Sequence, residues 1–369
     1  MSPKFHWYLP THGDTTTIAD NRGTAAARSR SHLEPTLENL TALSRAAEDF
    51  GFEAVLTPTG SHCEDSWIVT AALAQHTERL KFLVAFRPGM LSPSLAAAQV
   101  STYQRFTGNR LALNIVTGGD DTEMHRFGDH IDKAARYRRT GEFLNVVRGI
   151  WDNPEFSFRG EFYDVTAATT AYPIEQVPTV YFGGSSPEAI EVAAQHADVY
   201  LTWGEPPDQV ADKIFRVREA AARYGRTLWF GLRLHSVARP THEQAWQRAD
   251  ELIAGLSAEK VRATHERYSV SGSEGQRRMA ALTTGELVDA RSLEVHPGLW
   301  AGPSLLRDGA GTAAIGSYEE VAAVFEEYRR LGISEFILSG YPQSVEIDHV
   351  GRGVLPLLAS APAAAHLGG

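Results

Sequence analysis

A chain of 369 residues with an apolar content of 43% can bury a large core, which excludes wholesale disorder. Its formal charge of −10 gives no general attraction to nucleic acid or an anionic membrane, and no apolar run approaches the ~20 residues that span a bilayer. The single cysteine, Cys63, excludes an intramolecular disulfide, and without a charged n-region leading into an apolar stretch a reducing cytoplasm is expected.

Short β-branched or aromatic runs alternate with longer helical patterns along the chain. The runs predict strands at 4–10, 53–58, 81–88, 110–118, 179–184, 199–204, 228–238 and 335–342. Helices are predicted at 34–50, 64–77, 93–106, 131–151, 187–196, 207–224, 241–256 and 344–358, with an extra one at 318–331. Eight βα units in series imply an α/β fold: one TIM (β/α)8 barrel with insertions, spanning residues 1–369. Two stretches break the alternation. The polar segment 14–31 and residues 257–316 read as long loops and candidate lids. "SFRGEFYDV" (157–165) reads as a small hairpin around Arg159 and Gly160, and the Ala/Gly-rich end at 360–369 as a frayed tail.

Unusual polar residues fall at or just past the C-terminal ends of these strands. In chain order they are His12 and Asp14, Cys63, Arg87, Asn114 and Thr117, Ser185 and Ser186, Trp203 and Glu205, Arg233 and His235, then Ser339 and Tyr341. In a βα barrel these ends form one mouth, where active sites are built. Strand alternation sets Arg233 and His235 on the same face as Gly231, and convergence from other strands points that face at the mouth. Taken singly, each residue also has a plain structural reading: a paired core Arg or His, a rim Trp203, a packed Cys63. In "YFGGSSPEAI", Gly183 and Gly184 allow close backbone approach, and Ser185 or Ser186 can cap the next helix, whose free N–H groups suit a phosphate. Tyr137 and Arg138 can add side-chain donors there, or lie on an exposed helix face. Metal-ligand types occur without a metal-binding spacing, so no metal is expected, and no GxSxG supports a serine hydrolase.

The blocks "FHWYLPTHGD", "LTPTGSHCEDSW", "LKFLVAFRP", "LNIVTGGD", "VYFGGSS", "VYLTWGEPP", "GLRLHSVAR", "GQRRMA", "LWAGPSLLRDGAGTAAIG" and "FILSGYP" resemble, in this order, the reduced-FMN-dependent alkanesulfonate monooxygenases of the bacterial luciferase-like superfamily. The resemblance implies a barrel that takes reduced FMN from a separate NAD(P)H-dependent flavin reductase. With O2 as cosubstrate, a peroxyflavin then cleaves the C–S bond of a sulfonate to give sulfite and an aldehyde. It also implies a homodimer or homotetramer. By motif, His12, Cys63, Trp203, Arg233, His235, Arg307 and Tyr341 match active-site positions, with Cys63 toward the cofactor. Asn114, Thr117, Tyr137, Ser185 and Ser186 match the flavin-binding side, the two serines at the phosphate.

A sulfonate is a permanent anion with three acceptor oxygens, and Arg233, His235, Trp203 and Tyr341 supply donors for it. His235 or Tyr341 is expected to move a proton, and Arg307 to close over the site from the 257–316 insertion. Gln343 stands where the family pattern usually has histidine, Ser61 and His62 where it has Arg-Ser, and the first loop is longer and more polar. These departures suit a hydroxylated substrate, making a sugar sulfonate such as sulfoquinovose a candidate beside a plain alkanesulfonate. Other readings stay open at this point: another reduced-flavin oxygenase, for instance one acting on sulfones, a deazaflavin-dependent oxidoreductase, or a non-catalytic flavin-binding module.

Overall fold

The computed structural model describes residues 2–19 and 32–359. Strands β1 (Lys4–Tyr8), β2 (Ala54–Thr57), β3 (Lys81–Phe86) and β4 (Leu111–Ile115) pair in sequence, each parallel to the next. The hairpin of β5 (Phe156–Arg159) and β6 (Asp164–Ala168) forms a separate small sheet. β7 (Val180–Gly183) returns beside β4, followed by β8 (Val199–Trp203) and the eleven-residue β9 (Trp229–Arg239). β10 (Glu294–His296), β11 (Leu299–Trp300) and β12 (Ala313–Ser317) extend the sheet beside the far end of β9. β13 (Glu335–Ser339) lies between β9 and β1 and completes a closed ring of eight parallel strands, the predicted TIM barrel.

The surrounding helices are α1 (Leu37–Asp49), α2 (Ser66–Leu73), α3 (Pro93–Thr107), the short α4 (Asp121–Arg126), α5 (Lys133–Asp152), α6 (Pro187–His196), α7 (Pro207–Ala222) and α8 (His242–Ile253). They continue with α9 (Ala258–Ser269), α10 (Glu274–Ala280), α11 (Tyr318–Leu331), α12 (Gln343–His349) and α13 (Leu355–Ala359). Their starts are set chemically: Thr36, Asp65, Ser92, Asp132, Ser186, Thr241 and Ser317 each accept a hydrogen bond from the first turn. None of the described helices is long and apolar enough to cross a membrane.

Two expectations change. Residues 257–316, read as a long loop, hold α9, α10 and three strands, because Ser257 and Ser273 cap helices that the polar composition conceals. The helix expected over 344–358 is interrupted by a π-helical turn at Val350–Val354, where a Cβ on Gly351 or Gly353 would come within 2.3 Å of Phe50 or 2.5 Å of Tyr318. Of the polar first loop, residues 20–31 lie outside the described residues, as does the tail at 360–369. The loop's described start is tied down. Asp14 accepts from the Gln343 and Ser344 amides at 2.7 and 3.0 Å, and Ile18 is buried against a cluster that includes Trp246, Leu305 and Tyr341.

Strand alternation sorts the core into two layers. Outward residues such as Trp7, Val84, Leu113, Phe182, Leu232 and Leu338 join the large cluster under the helices. Inward residues Ala54, Leu56, Leu83, Ala112, Val199 and Ile337 fill the barrel. Below this filling sits a buried polar group: His6 Nε2 and the Tyr181 hydroxyl donate to Glu335 Oε2 at 3.0 and 2.6 Å, and Lys4 donates to Oε1 at 3.2 Å. Burial alone would raise the Glu335 carboxyl, but the hydrogen bond and charge of His6, with Tyr181 and Lys4, outweigh it and hold the carboxyl at about 2.

A folded-state value below the unfolded one means that this carboxylate stabilises the barrel above about pH 4.5 and that the gain is lost as pH falls toward 2. Glu335→Gln is therefore expected to cost roughly 3 kcal/mol at neutral pH and to flatten the acid limb of stability, as urea unfolding between pH 7 and pH 3 will show.

Candidate active site

The C-terminal ends of the barrel strands surround a cavity of about 430 Å³, floored by Leu56, Leu201 and Ile337. Every residue singled out by motif lines it: His12, Cys63, Asn114, Thr117, Tyr137, Ser185, Ser186, Trp203, Arg233, His235, Arg307, Tyr341 and Gln343. Arg138 does not; it turns outward and pairs with Glu161 at 2.8 Å, because it follows Tyr137 by one residue on a helix and so leaves on another face. Further lining residues to which the sequence assigned no role include Tyr8, Glu123, Lys133, Glu274 and Asp308. Tyr8 was within reach of strand alternation, as the next inward residue after His6.

One end of the cavity is built for an anion by backbone and short side chains. Gly184, at φ +147°, turns the chain from β7 into α6, and its carbonyl accepts from the Tyr200 hydroxyl. Ser186 caps α6 by accepting from Ala189 N at 3.3 Å, and the Tyr137 hydroxyl bonds to Ser186. Ser185, Lys133 and the start of α6 complete a set of N–H, O–H and ammonium donors, with Asn114, Thr117 and Gly118 along the adjoining wall.

The other end is dominated by Arg233. Its Nη1 donates to Leu234 O at 2.8 Å, its Cζ stands 5.0 Å from the Tyr8 ring centroid, and among the described residues no carboxylate pairs with it. Burial draws this guanidinium down to about 10, which still leaves it charged at neutral pH. Arg87, at the end of β3, contrasts with it: its Nη2 donates to Glu123 Oε2 at 2.5 Å, so that charge is already balanced.

His235 is fully engaged. Its Nε2 lies 3.0 Å from Ala310 O, which can only accept, so Nε2 carries the proton and Nδ1 accepts from Ser339 Oγ at 2.7 Å. Burial, Arg233 and Arg307 push the imidazole well below the ordinary histidine value, so it is neutral. Through these bonds the imidazole ties the 310 backbone to the end of β13. Tyr341 stacks on His235 with centroids 5.0 Å apart, and burial raises its phenol against the pull of Arg307 and Arg233. The Gln343 carbonyl oxygen accepts from Gly340 N at 3.1 Å, which leaves its NH2 as the group for the cavity.

The insertion reaches this site through a buried ion cluster. Glu205 is fully buried beyond β8; Arg278 on α10 donates to both its oxygens at 2.8 and 2.7 Å, and Lys213 on α7 donates at 2.8 Å. Burial would raise Glu205, but Arg278 and Lys213 hold it below the usual range. On the same short helix, Gln276 Oε1 accepts from Gly309 N at 2.9 Å, tying down the loop that carries Arg307. Gly275 packs so closely on Trp203 that a Cβ there would come within 2.9 Å of the indole. Among the described residues no cluster of three or more His, Cys, Asp or Glu is placed to hold a metal ion.

The architecture and its mouth are those of a barrel enzyme, and the chain belongs to the luciferase-like monooxygenase family, whose model matches residues 3–335. Among solved structures, a riboflavin lyase with modified FMN and riboflavin superposes with a TM-score of 0.78 at 19% identity, over 97% of this chain and 92% of that one. A long-chain alkane monooxygenase gives 0.77 at 18% identity, over 97% and 91%. EDTA monooxygenase from Chelativorans sp. BNC1 gives 0.74 at 15% identity, over 98% and 94%. At these identities the likeness is one of fold.

Arg278→Met leaves Glu205 paired with Lys213 but removes the two bonds that dock α10. The variant is expected to lose about 2 kcal/mol and to be cut faster within residues 257–312 than the wild type, as limited proteolysis with mass mapping will show.

Proposed function

We propose that the protein is a two-component flavin-dependent monooxygenase that cleaves the C–S bond of an organosulfonate, using reduced FMN and O2. The observation that carries the sulfonate part is Arg233: a charged guanidinium lining the cavity, without a carboxylate partner among the described residues. A desolvated cation of this kind favours an anionic ligand, and its planar fork matches sulfonate oxygens.

The donor set at the opposite end fits a phosphate ester. Ser185, Ser186, Tyr137, Lys133 and the start of α6 would hold the FMN phosphate, and Asn114 and Thr117 would flank the rest of the cofactor. Bound there, reduced FMN would supply the electrons that activate O2. The balance is R–CH2–SO3⁻ + O2 + FMNH2 → R–CHO + HSO3⁻ + FMN + H2O. The residues of the chain bind and orient. Arg233 and Arg307 offset negative charge on the sulfonate and on the departing sulfite. Tyr341, kept protonated by burial, is the phenol placed to hold a proton beside them. His235 and Gln276 fix the 307–310 segment, and Trp203 with Gly275 seals that side against water.

The lining of His12, His62 and the Gln343 NH2 supports a hydroxylated sulfonate such as sulfoquinovose within the substrate range. A separate flavin reductase would provide the reduced cofactor, the assembly would be a homodimer or homotetramer, and the 257–316 insertion would act as the lid.

Sulfite release is measured in air with FMN, a flavin reductase and NADH, across methane-, octane- and aromatic sulfonates and sulfoquinovose. Sulfite that requires both reduced FMN and one substrate class is the expected result; none from any of them, with reduced FMN bound, would overturn the sulfonate reading. Arg233→Ala is expected to lower kcat by about 100-fold or more, and Arg233→Lys, which keeps the charge without the fork, to recover part of it.

A further inference from the structure

The Tyr8 phenol lines the cavity and has no task in the reaction proposed above. Tyr8 ends β1 on the inward face, opposite Leu56 in register, and it lines the cavity. Its ring is held twice: Arg233 Cζ lies 5.0 Å from its centroid and His12 meets it edge-on at 6.0 Å. Both contacts use the ring, and no hydrogen bond from the hydroxyl to a described residue accompanies them. The other cavity tyrosines differ: Tyr137 bonds to Ser186, and Tyr341 to Arg307 and His235.

A phenol whose ring packs on a guanidinium that has no carboxylate partner among the described residues has a definite chemical complement. A guanidinium fork satisfies two oxygens side by side, which is all a carboxylate offers; a sulfonate has a third oxygen that needs its own donor. His235 cannot provide it, because its only N–H is committed to Ala310 O. We propose that Tyr8 is a specificity-determining residue, whose hydroxyl donates to the third oxygen of the anion held by Arg233 and so selects a sulfonate over a carboxylate of the same shape. This rests on reading the cavity as a sulfonate site. Burial and Cys63 raise the phenol against the opposing Arg307 and Arg233 charges, so it stays an O–H donor across neutral pH. A carboxylate in the same place would leave this hydroxyl desolvated and unpaired, which is how a site rejects an analogue lacking a hydrogen-bonding atom.

The test is anaerobic fluorescence titration of the protein loaded with reduced FMN, using octanesulfonate against nonanoate, for the wild type and Tyr8→Phe. Phenylalanine keeps the ring contacts with Arg233 and His12 and removes only the hydroxyl. The expected result is a wild type that prefers the sulfonate and a variant that binds it about tenfold more weakly, with nonanoate affinity, FMN affinity and Tm unchanged. Under turnover the same loss should appear in KM for the sulfonate more than in kcat. Unchanged sulfonate affinity in the variant, or equal weakening of both ligands, would overturn the role of Tyr8 while leaving the sulfonate site standing. A wild type that does not prefer the sulfonate would instead overturn the reading of the site itself.

Discussion

A parallel barrel must close, and here closure falls on a strand longer than its neighbour. β9 pairs with β8 from Trp229 to Arg233, and from His235 onward its partner on that side is β12. The hand-over occurs between Arg233 and His235, so the strand that carries Arg233 into the cavity also anchors the insertion. Backbone bonds reinforce it: Gly204 N donates to Arg233 O at 3.0 Å, and His235 N donates to Thr312 O at 2.8 Å. Cavity and insertion are thus joined through the backbone of one strand.

The cavity separates its charges by purpose. Arg87 and Glu205 lie close by, yet each is neutralised, by Glu123 in one case and by Lys213 with Arg278 in the other. Such pairs offset their own desolvation and serve the framework. Arg233 has the Tyr8 ring, backbone carbonyls and the charge of Arg307 around it and no carboxylate among the described residues, so its field is directed at whatever enters. Low polarity around it makes that field stronger than the same charge would produce in water. The neutral state of His235 belongs to this arrangement, since an imidazolium beside Arg233 and Arg307 would be repelled by both.

Much of this was legible in the sequence, residue by residue. Eight strand-like runs followed by helical periodicities implied the barrel, and the polar residues at their ends marked the mouth. Gly184 and Ser186 announced a sharp turn into a capped helix. The insertion was less legible because α10 has only seven residues and β12 is built from small ones, so neither gives a clear period. The tautomer of His235 was not legible for another reason: a histidine's proton is assigned by its neighbours, and Ala310 and Ser339 lie 75 and 104 residues further along the chain.

The sequence by itself determined the periodicities, the caps, the class of fold and which residue types reach the mouth, since these depend on near neighbours along the chain. Only the tertiary structure decided which charges are balanced and which are left for a ligand. It paired Arg87 with Glu123, joined Glu205 to Lys213 and Arg278, committed the His235 N–H to a carbonyl, and set the Tyr8 ring against Arg233. Burial and pairing are properties of space: the cost of an unpaired charge is set by what folding brings around it, and no spacing along the chain encodes that.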